Sequence, residues 1–302
     1  MTDFKLGINN CFAVKRWPEP ERWADIVRTR LGLELVQHSL DLVDLSLPTR
    51  ERLAEAKRVA GACSAEGLTL QSTFTGLAAY SSNLLLDPEP SKRAAAEAWY
   101  RRAIEFSAAA GAEGTGGHVG AYSAADWQSS LRRAQLEDAL RAALKRLTGV
   151  AHRAGLRVFY LENLAAAREP STMDQVQRLL MPGDVRHVPL RLCLDVGHMC
   201  VPGTHGEERD PYAWLRRFGP QTPVVHIQQS DADGDHHWPF TEEKNRRGRI
   251  DAARVIEALS ASGATIVALI LEVIPPFEAD DDTVLEELFA SVKYWRESLA
   301  AR

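Results

Sequence analysis

The chain alternates short apolar runs with longer segments in which apolar residues recur at helical spacing. Eight runs have the length and apolar content of buried strands, and a polar turn follows each of them. They are KLGINNC (5–11), LELVQHSL (33–40), LTLQSTF (68–74), GTGGHVG (114–120), RVFYLEN (157–163), LRLCLDVGH (190–198), VVHIQQSD (224–231) and VALILEVI (267–274). Helices are predicted over residues 17–31, 46–67, 91–110, 124–153, 172–181, 210–217, 250–261 and 281–299.

This alternation predicts the fold class. Near-continuous apolar strands indicate burial on both faces, as in parallel sheets covered by helices. Eight such units in 302 residues fit a closed (β/α)8 TIM barrel, an α/β fold, and no linker divides the chain, so one domain over 1–302 is expected. An open, doubly wound sheet is the alternative. It is disfavoured because no GxGxxG or GxxxxGK[ST] motif follows the first strand.

Composition restricts the compartment and the partners. The chain is 45% hydrophobic and 25% charged, with a net charge of -5 and a pI near 6.0. The protein as a whole therefore has no positive electrostatic field that would favour binding of nucleic acid. The start, MTDFKLGINN, lacks a signal pattern, and the longest apolar stretch, TIVALILEVIPPF, is too short to span a membrane. Four cysteines without a CxxC pair indicate reduced thiols. We therefore expect a cytoplasmic protein.

Polar residues stand at the ends of four consecutive predicted strands. The fifth strand ends in Glu162, the sixth in Asp195 and His198, the seventh carries His226, and the eighth carries Glu272. In an α/β barrel these strand ends form the active site. Three carboxylates at one barrel mouth would repel one another, and a divalent cation removes that conflict.

The set Glu162, Asp195, His226 and Glu272 offers three oxygen ligands and one imidazole. This chemistry suits one Mn²⁺ or Mg²⁺ ion, with Co²⁺ as a further candidate, and leaves room for water or substrate oxygens. A network of buried ion pairs is the alternative interpretation.

Further polar residues near the strand ends are candidates for substrate binding. His38 and His118, at the ends of the second and fourth strands, could contact sugar hydroxyls or could be structural. For a phosphate, the candidates after the seventh strand are Lys244, Arg246, Arg247 and Arg249, with Arg246 favoured, and those after the first strand are Lys15 and Arg16. Solvated charged loops would explain the same residues. His236, His237 and Trp238 could form a wall over the site.

The motifs YLEN, CLDVGH, VVHIQQ and LILEV resemble the metal-binding motifs of the xylose-isomerase-like TIM-barrel superfamily, the sugar isomerase and epimerase group. The resemblance implies one divalent metal held by Glu162, Asp195, His226 and Glu272. It also implies that Glu162 and Glu272 act as an acid/base pair and that His198 contacts substrate. The segments LGINNCFAVKRWPEPERWADIV, GHVGAYS and NRRGRID are similar to D-erythrulose 1-phosphate 3-epimerases. A sugar or sugar phosphate is then the expected ligand, and a homo-oligomer is compatible with the resemblance.

The residues themselves support proton transfer beside a carbonyl. A metal would stabilise the enediolate, while two carboxylates on opposite sides of the substrate remove and return a proton. Aldose–ketose isomerisation needs the same groups and stays an alternative. Metal-dependent phosphodiester hydrolysis, as in apurinic endonucleases, is disfavoured because histidines are few and no basic stripe exists. A barrel that only binds a ligand is the third possibility.

Overall fold

A computed structural model of the protein describes residues 2–301. Its sheet consists of eight parallel strands, β1 to β8, which follow the predicted runs closely. They are β1 Asp3–Asn9, β2 Leu35–Ser39, β3 Thr69–Phe74, β4 Gly114–Gly117, β5 Val158–Glu162, β6 Leu190–Asp195, β7 Val224–Ile227 and β8 Ile266–Leu271.

The strands form a closed barrel in sequence order. Closure is made by β1, which pairs in parallel with β2 on one side and with β8 on the other, from Asp3 opposite Ile266 to Ile8 opposite Leu271. An open sheet would leave β1 or β8 at an edge, so the doubly wound alternative is excluded. The predicted (β/α)8 TIM barrel is confirmed, whereas one domain over residues 1–302 stays a prediction.

Helices cover the outside of the barrel. They are α1 Pro20–Asp25, which continues as a π-helical turn over Ile26–Arg30, α2 Thr49–Ala65, α3 Pro90–Ala109, α4 Ala124–Gln128, α5 Ser130–Ala154, α6 Met173–Leu179, α7 Pro211–Phe218, α8 Glu242–Arg247, α9 Ala252–Ser262 and α10 Asp281–Ala300. Among residues 2–301, none of these helices has both the length and the apolar character needed to cross a bilayer.

Two helical features differ from the sequence-based prediction. The helix predicted over 124–153 is split, because the Ser129 hydroxyl accepts a hydrogen bond from the Arg132 N–H and so starts α5 afresh. The short α8 lies in a segment predicted as a loop. It has no apolar stripe to reveal it, and it is defined by the Thr241 cap, by Glu242 and Glu243 in the first turn and by basic residues in the last.

Two apolar layers follow from the two faces of each strand. Phe159 and Leu161 of β5 point outward into the large core beneath the helices. Val158 and Tyr160 point inward and pack with the inward residues of other strands, which are Leu35, Phe74, Cys193, Val224, Ala268 and Ile270. Because side chains alternate along a strand, Glu162 belongs to the inward set and lies one layer above Tyr160.

Strand β4 consists of glycine and threonine, and its last residue, Gly117, packs closely against Thr75. Gly117 has φ +128°, and a Cβ added there would lie 2.0 Å from Oγ1 of Thr75. That hydroxyl also accepts the backbone N–H of His118 at 2.8 Å. The backbone conformation and the contact therefore both require glycine at this position.

Replacing Gly117 with alanine should destabilise the protein by about 2–5 kcal/mol, because the backbone strain at positive φ and the overpacking of the new methyl group against Thr75 both contribute. Gly155, the α5 cap, is the matched control, since it has φ +90° but nothing within 4 Å of an added Cβ. Gly155→Ala should cost only about 1–2 kcal/mol, the strain alone. Urea unfolding of both variants tests this, and equal losses would show that the Thr75 contact is unimportant.

Candidate metal centre

Four polar side chains form the uppermost inward layer of the barrel. Each follows an inward apolar or core residue by two positions, so strand alternation directs all of them into the barrel mouth. They are Glu162 at the end of β5, Asp195 at the end of β6, His226 within β7 and Glu272 directly after β8, and all are buried, with exposures of 3%, 0%, 0% and 6%.

These side chains meet around His226. Its Nδ1 lies 3.1 Å from Oε1 of Glu162 and 2.9 Å from Oε2 of Glu272. One ligand atom from each of the four residues, Asp195 included, lies within 4.8 Å of the others, so the group could hold a metal ion. The structure therefore brings together the four residues that the sequence placed at separate strand ends.

The tautomer of His226 follows from one backbone hydrogen bond. The N–H of Cys11 donates to Oδ1 of Asn9, which fixes the orientation of the Asn9 amide. The Asn9 NH₂ group therefore faces Gln37 and donates to its Oε1 at 2.8 Å. Because that oxygen can only accept, Nε2 of His226, which lies 2.7 Å away, must carry a hydrogen and donate it.

A neutral His226 then presents the lone pair of Nδ1 to two carboxylate oxygens. Burial raises the pKa of Glu162 above its ordinary range. Burial opposes a charged His226, but the adjacent Cys193, Glu272 and Glu162 side chains nevertheless raise the pKa of its imidazole well above the usual value. The centre thus attracts positive charge. A divalent cation can bind all three lone pairs, those of Nδ1 and of the two carboxylate oxygens, whereas a single proton on Nδ1 cannot. The donor set fits the Mn²⁺ or Mg²⁺ predicted from the sequence.

Asn9 also orients a carboxylate. Its Nδ2 donates to Oε1 of Glu272 at 3.1 Å, while Oε2 of Glu272 faces His226. Asn9 and Gln37 are fully or almost fully buried, and the two amides together set which atoms of His226 and Glu272 face the centre. Sequence reasoning missed both amides, although the inward position of Gln37, two residues after Leu35, follows from strand alternation.

A cavity of about 290 Å³ opens beside the centre. This is at the lower end of the ~300–1,000 Å³ typical of ligand pockets and suits a small substrate. Four carboxylates line it, from Asp41, Glu162, Asp235 and Glu272, and none of the described lining residues is lysine or arginine. Its remaining lining comes from Cys11, Val14, Thr75, Gly76, Leu77, Tyr80, His236, His237, Ile274 and Phe277. Of the wall predicted from His236, His237 and Trp238, the two histidines line the cavity, and Asp235 joins them. Trp238 is not among the lining residues and stacks on His236, with ring centroids 3.9 Å apart.

The three other predicted histidines have different positions. His198 is buried beside Asp195, and its Nδ1–H donates to the carbonyl of Asn163 at 2.6 Å. His118 is also buried and stacks on Tyr80, with ring centroids 4.4 Å apart. Burial lowers the pKa of His118 to about 4, so the ring is neutral. Through Tyr80, His118 supports the cavity wall.

His38 lies outside the barrel and is not among the residues that line the cavity. Its neighbour Gln37 points inward, so alternation turns His38 outward, where it packs between Trp23 and Phe106 with centroids 5.5 and 5.9 Å away. Burial lowers the pKa of His38 to about 3. Its surroundings are those of a neutral core histidine.

Two of the predicted cations, Arg246 and Lys15, lie at the periphery. Arg246 is exposed on α8 and pairs with Glu242 at 2.7 Å, one turn away on the same helix. Lys15 is exposed with φ +61°, and its Nζ lies 4.3 Å from the ring centroid of Phe277, a residue of the cavity wall. Of these two cations, the structure brings only Lys15 towards the cavity rim.

Comparison with known proteins agrees with this architecture. A sequence model of the family described as xylose isomerase-like TIM barrel matches residues 29–296. The chain is 24% identical over 298 residues to the D-erythrulose 1-phosphate 3-epimerase of Brucella abortus (strain 2308), covering 96% of this chain and 94% of that protein.

Solved structures are also similar. A protein of Rhodospirillum rubrum ATCC 11170, provisionally named a xylose isomerase, is 38% identical with a TM-score of 0.90, over 97% of this chain and 99% of that one. The D-psicose 3-epimerase of Clostridium cellulolyticum H10 is 18% identical with a TM-score of 0.69, over 98% of this chain and 99% of that one. At 18% identity, the similarity to the D-psicose 3-epimerase shows a shared fold alone.

Replacing Gln37 with methionine should weaken divalent metal binding about 10–100-fold, the usual effect of losing a group that orients a metal-binding histidine. Methionine has the same length but cannot accept the Nε2 hydrogen of His226. Calorimetric titration of the metal-free protein with Mn²⁺ measures the affinity.

Thr73→Val is the matched control for this substitution. Thr73 is equally buried, but its hydroxyl bonds Ser107 and Thr115 on the outer side of the barrel. The control should lose stability and keep wild-type metal affinity. A folded Gln37→Met protein that binds Mn²⁺ as tightly as wild type would contradict the role of Gln37.

Proposed function

The chain belongs to the xylose isomerase-like TIM barrel family, and from that premise we propose that it is a metal-dependent sugar 3-epimerase, an enzyme of the isomerase class. The observation that carries the proposal is the pair Glu162 and Glu272, which flank His226 from two sides of the barrel mouth. They stand on β5 and after β8, three strands apart in an eight-stranded ring.

Epimerisation at C3 requires a base and an acid on opposite faces of one carbon. Bound divalent metal would supply Lewis-acid polarisation of the substrate carbonyl, which makes the neighbouring hydrogen acidic. In the proposed reaction one of the two glutamates removes the C3 proton, and the other returns a proton to the opposite face. Asp195 and His226 complete the ligand set with Glu162 and Glu272, and His198 contacts the substrate.

The proposed substrate is a short ketose phosphate, a tetrulose phosphate such as D-erythrulose 1-phosphate. The small cavity and the name of the Brucella abortus relative support this choice. The four carboxylates of the lining favour a second candidate, an unphosphorylated ketose, because a phosphate would be repelled unless cations compensate. A cytoplasmic location, a possible homo-oligomer, and the absence of nucleic acid and membrane partners stay predictions.

Hydrogen exchange in D₂O tests the reaction. The metal-loaded protein is incubated with ketoses and ketose phosphates, and NMR locates the incorporated deuterium. We expect deuterium at C3 with wild type, and a loss of at least about 100-fold in turnover for both Glu162→Gln and Glu272→Gln, the usual contribution of an acid/base group.

Each other outcome has a defined meaning. Deuterium at C1 or C2 would replace the proposal by aldose–ketose isomerisation. Variants Glu162→Gln and Glu272→Gln that keep near-native turnover with metal bound would contradict the acid/base assignment. No exchange across the panel would count against both reactions.

Lys15 discriminates between the two substrate candidates. If a phosphate lies at the rim, Lys15→Met should raise KM for the phosphorylated ketose about 10-fold, equivalent to ~1.4 kcal/mol of lost attraction, and leave an unphosphorylated ketose unaffected. Arg246→Met is the control, because Arg246 is exposed and paired with Glu242. Equal effects of Lys15→Met on both substrates would remove Lys15 from phosphate recognition.

A further inference from the structure

The end of the barrel where the strands begin contains a second cavity, which we call the lower cavity. Its volume is about 730 Å³, against about 290 Å³ for the cavity beside the metal centre. Val158, the first residue of β5, and Ile266, the first residue of β8, both line it. Glu162 and Glu272 stand at the other ends of the same two strands. The two cavities therefore open at opposite ends of one barrel.

The charge of the lower cavity is opposite to that of the cavity beside the metal centre. Its charged lining residues are three cations, Lys5, Arg157 and Arg191, and one carboxylate, Glu113. Within residues 2–301, the side chains of the three cations form no hydrogen bond or ion pair. The chain as a whole has a net charge of -5, so this positive charge is a local feature that can attract an anion.

Strand alternation directs two of these cations into the barrel. Arg191 precedes the inward residue Cys193 by two positions. Lys5 precedes Gly7 by two positions, and a Cβ added at Gly7 would lie 2.8 Å from Cδ1 of the inward residue Ile270. Arg191 is half-buried, and withdrawing a guanidinium from water without a partner is unfavourable. A bound anion would remove that cost.

A buried tyrosine provides a hydrogen-bond donor at the same cavity. Tyr160 is 1% exposed and lines the cavity together with Gln71. Oγ of Ser72 accepts a hydrogen bond from Gln37 and donates its own hydrogen to Oε1 of Gln71. The NH₂ group of Gln71 therefore faces Tyr160 and donates to its hydroxyl oxygen at 2.8 Å.

The hydroxyl hydrogen of Tyr160 is left without an acceptor among the residues that the structure describes. Burial raises the pKa of Tyr160 above its ordinary value, so the hydroxyl keeps this hydrogen. A buried donor without an acceptor costs free energy, which a ligand that accepts the hydrogen would recover.

Two backbone features hold the tyrosine and the glutamine in place. The pairing of β2 with β3 shifts by one residue and leaves Gln71 unpaired, and such irregularities re-aim side chains. Gln71 and Ser72 can therefore both contribute to the interior. On β4, a Cβ added at Gly114 would lie 2.9 Å from Cε2 of Tyr160, so the glycine leaves room for the tyrosine ring. The donor is thus fixed before any ligand binds.

We propose that the lower cavity is a binding site for a phosphate group, which a small phosphorylated metabolite carries. The planar guanidinium of Arg191 suits two parallel hydrogen bonds to phosphate oxygens, Lys5 adds a second positive charge, and Tyr160 donates its hydroxyl hydrogen. The volume falls within the ~300–1,000 Å³ of typical ligand pockets and exceeds what a phosphate ion alone would fill. This site is separate from the proposed epimerase centre.

Calorimetric titration of the metal-loaded protein tests the site. The three probes are glycerol 3-phosphate, inorganic phosphate and glycerol. We expect one saturable site per chain for glycerol 3-phosphate, weaker binding of inorganic phosphate and no binding of glycerol. Arg191→Met and Lys5→Met should each weaken glycerol 3-phosphate about 10-fold or more, and Tyr160→Phe about 10-fold, because each loses a hydrogen bond to a charged group.

Two cations outside the lower cavity are matched controls. Arg186 is exposed in the loop that leads to β6 and is not among the lining residues, so Arg186→Gln should bind as wild type does. Lys15 lies at the rim of the other cavity, so Lys15→Met should also leave this affinity unchanged. Circular dichroism checks the fold of each variant. Lys5 is exposed, so Lys5→Met provides the test even if Arg191→Met does not fold.

Each further outcome has a defined consequence. The absence of saturable phosphate binding by wild type would overturn the site, as would wild-type affinity in folded Lys5→Met and Arg191→Met. Binding weakened by Lys15→Met alone would also overturn it, because the phosphate would then lie beside the metal centre. Binding of inorganic phosphate without glycerol 3-phosphate would support the site and identify free phosphate as its ligand. Deuterium exchange at C3 decides the epimerase proposal independently of these results.

Discussion

The concentration of buried negative charge at one end of the barrel constrains the rest of the site. Glu162, Asp195 and Glu272 are held within a few ångströms of one another and of His226, almost without solvent. Buried carboxylates at such separations are strongly destabilising unless positive charge or hydrogen bonds compensate them. The closed ring of strands fixes their positions, so they cannot move apart. Either a proton on His226 or a bound cation must therefore balance the charge.

Buried amides transmit the orientation of His226 through the barrel interior. Gln37 accepts from His226 and donates from Nε2 to Oγ of Ser72 at 3.0 Å. Ser72 donates to Oε1 of Gln71 at 2.5 Å, and Nε2 of Gln71 donates to the Tyr160 hydroxyl at 2.8 Å. Each group in this line has one orientation that satisfies its neighbours, so the line holds the imidazole rigidly.

The loop after β7 adds a second level of organisation around the same charge. It brings Asp235 and His237 against His198, so the acidic centre extends into a mixed group of carboxylates and imidazoles at the cavity. An acidic cavity selects against free anions and favours cations or neutral hydroxyls. A cation bound in the mouth would therefore change which substrates the lining can accept.

The sequence alone determined the barrel and the layer of candidate metal ligands at its mouth. The eight apolar runs predicted eight strands, and alternation along β5 predicted that Glu162 would face inward above Tyr160, since both depend only on local periodicity. The tertiary structure decided which amides face His226 and how the loop folds Asp235 back to His198. These outcomes depend on contacts between residues up to 263 positions apart, such as Asn9 with Glu272, and local patterns carry no information about such contacts.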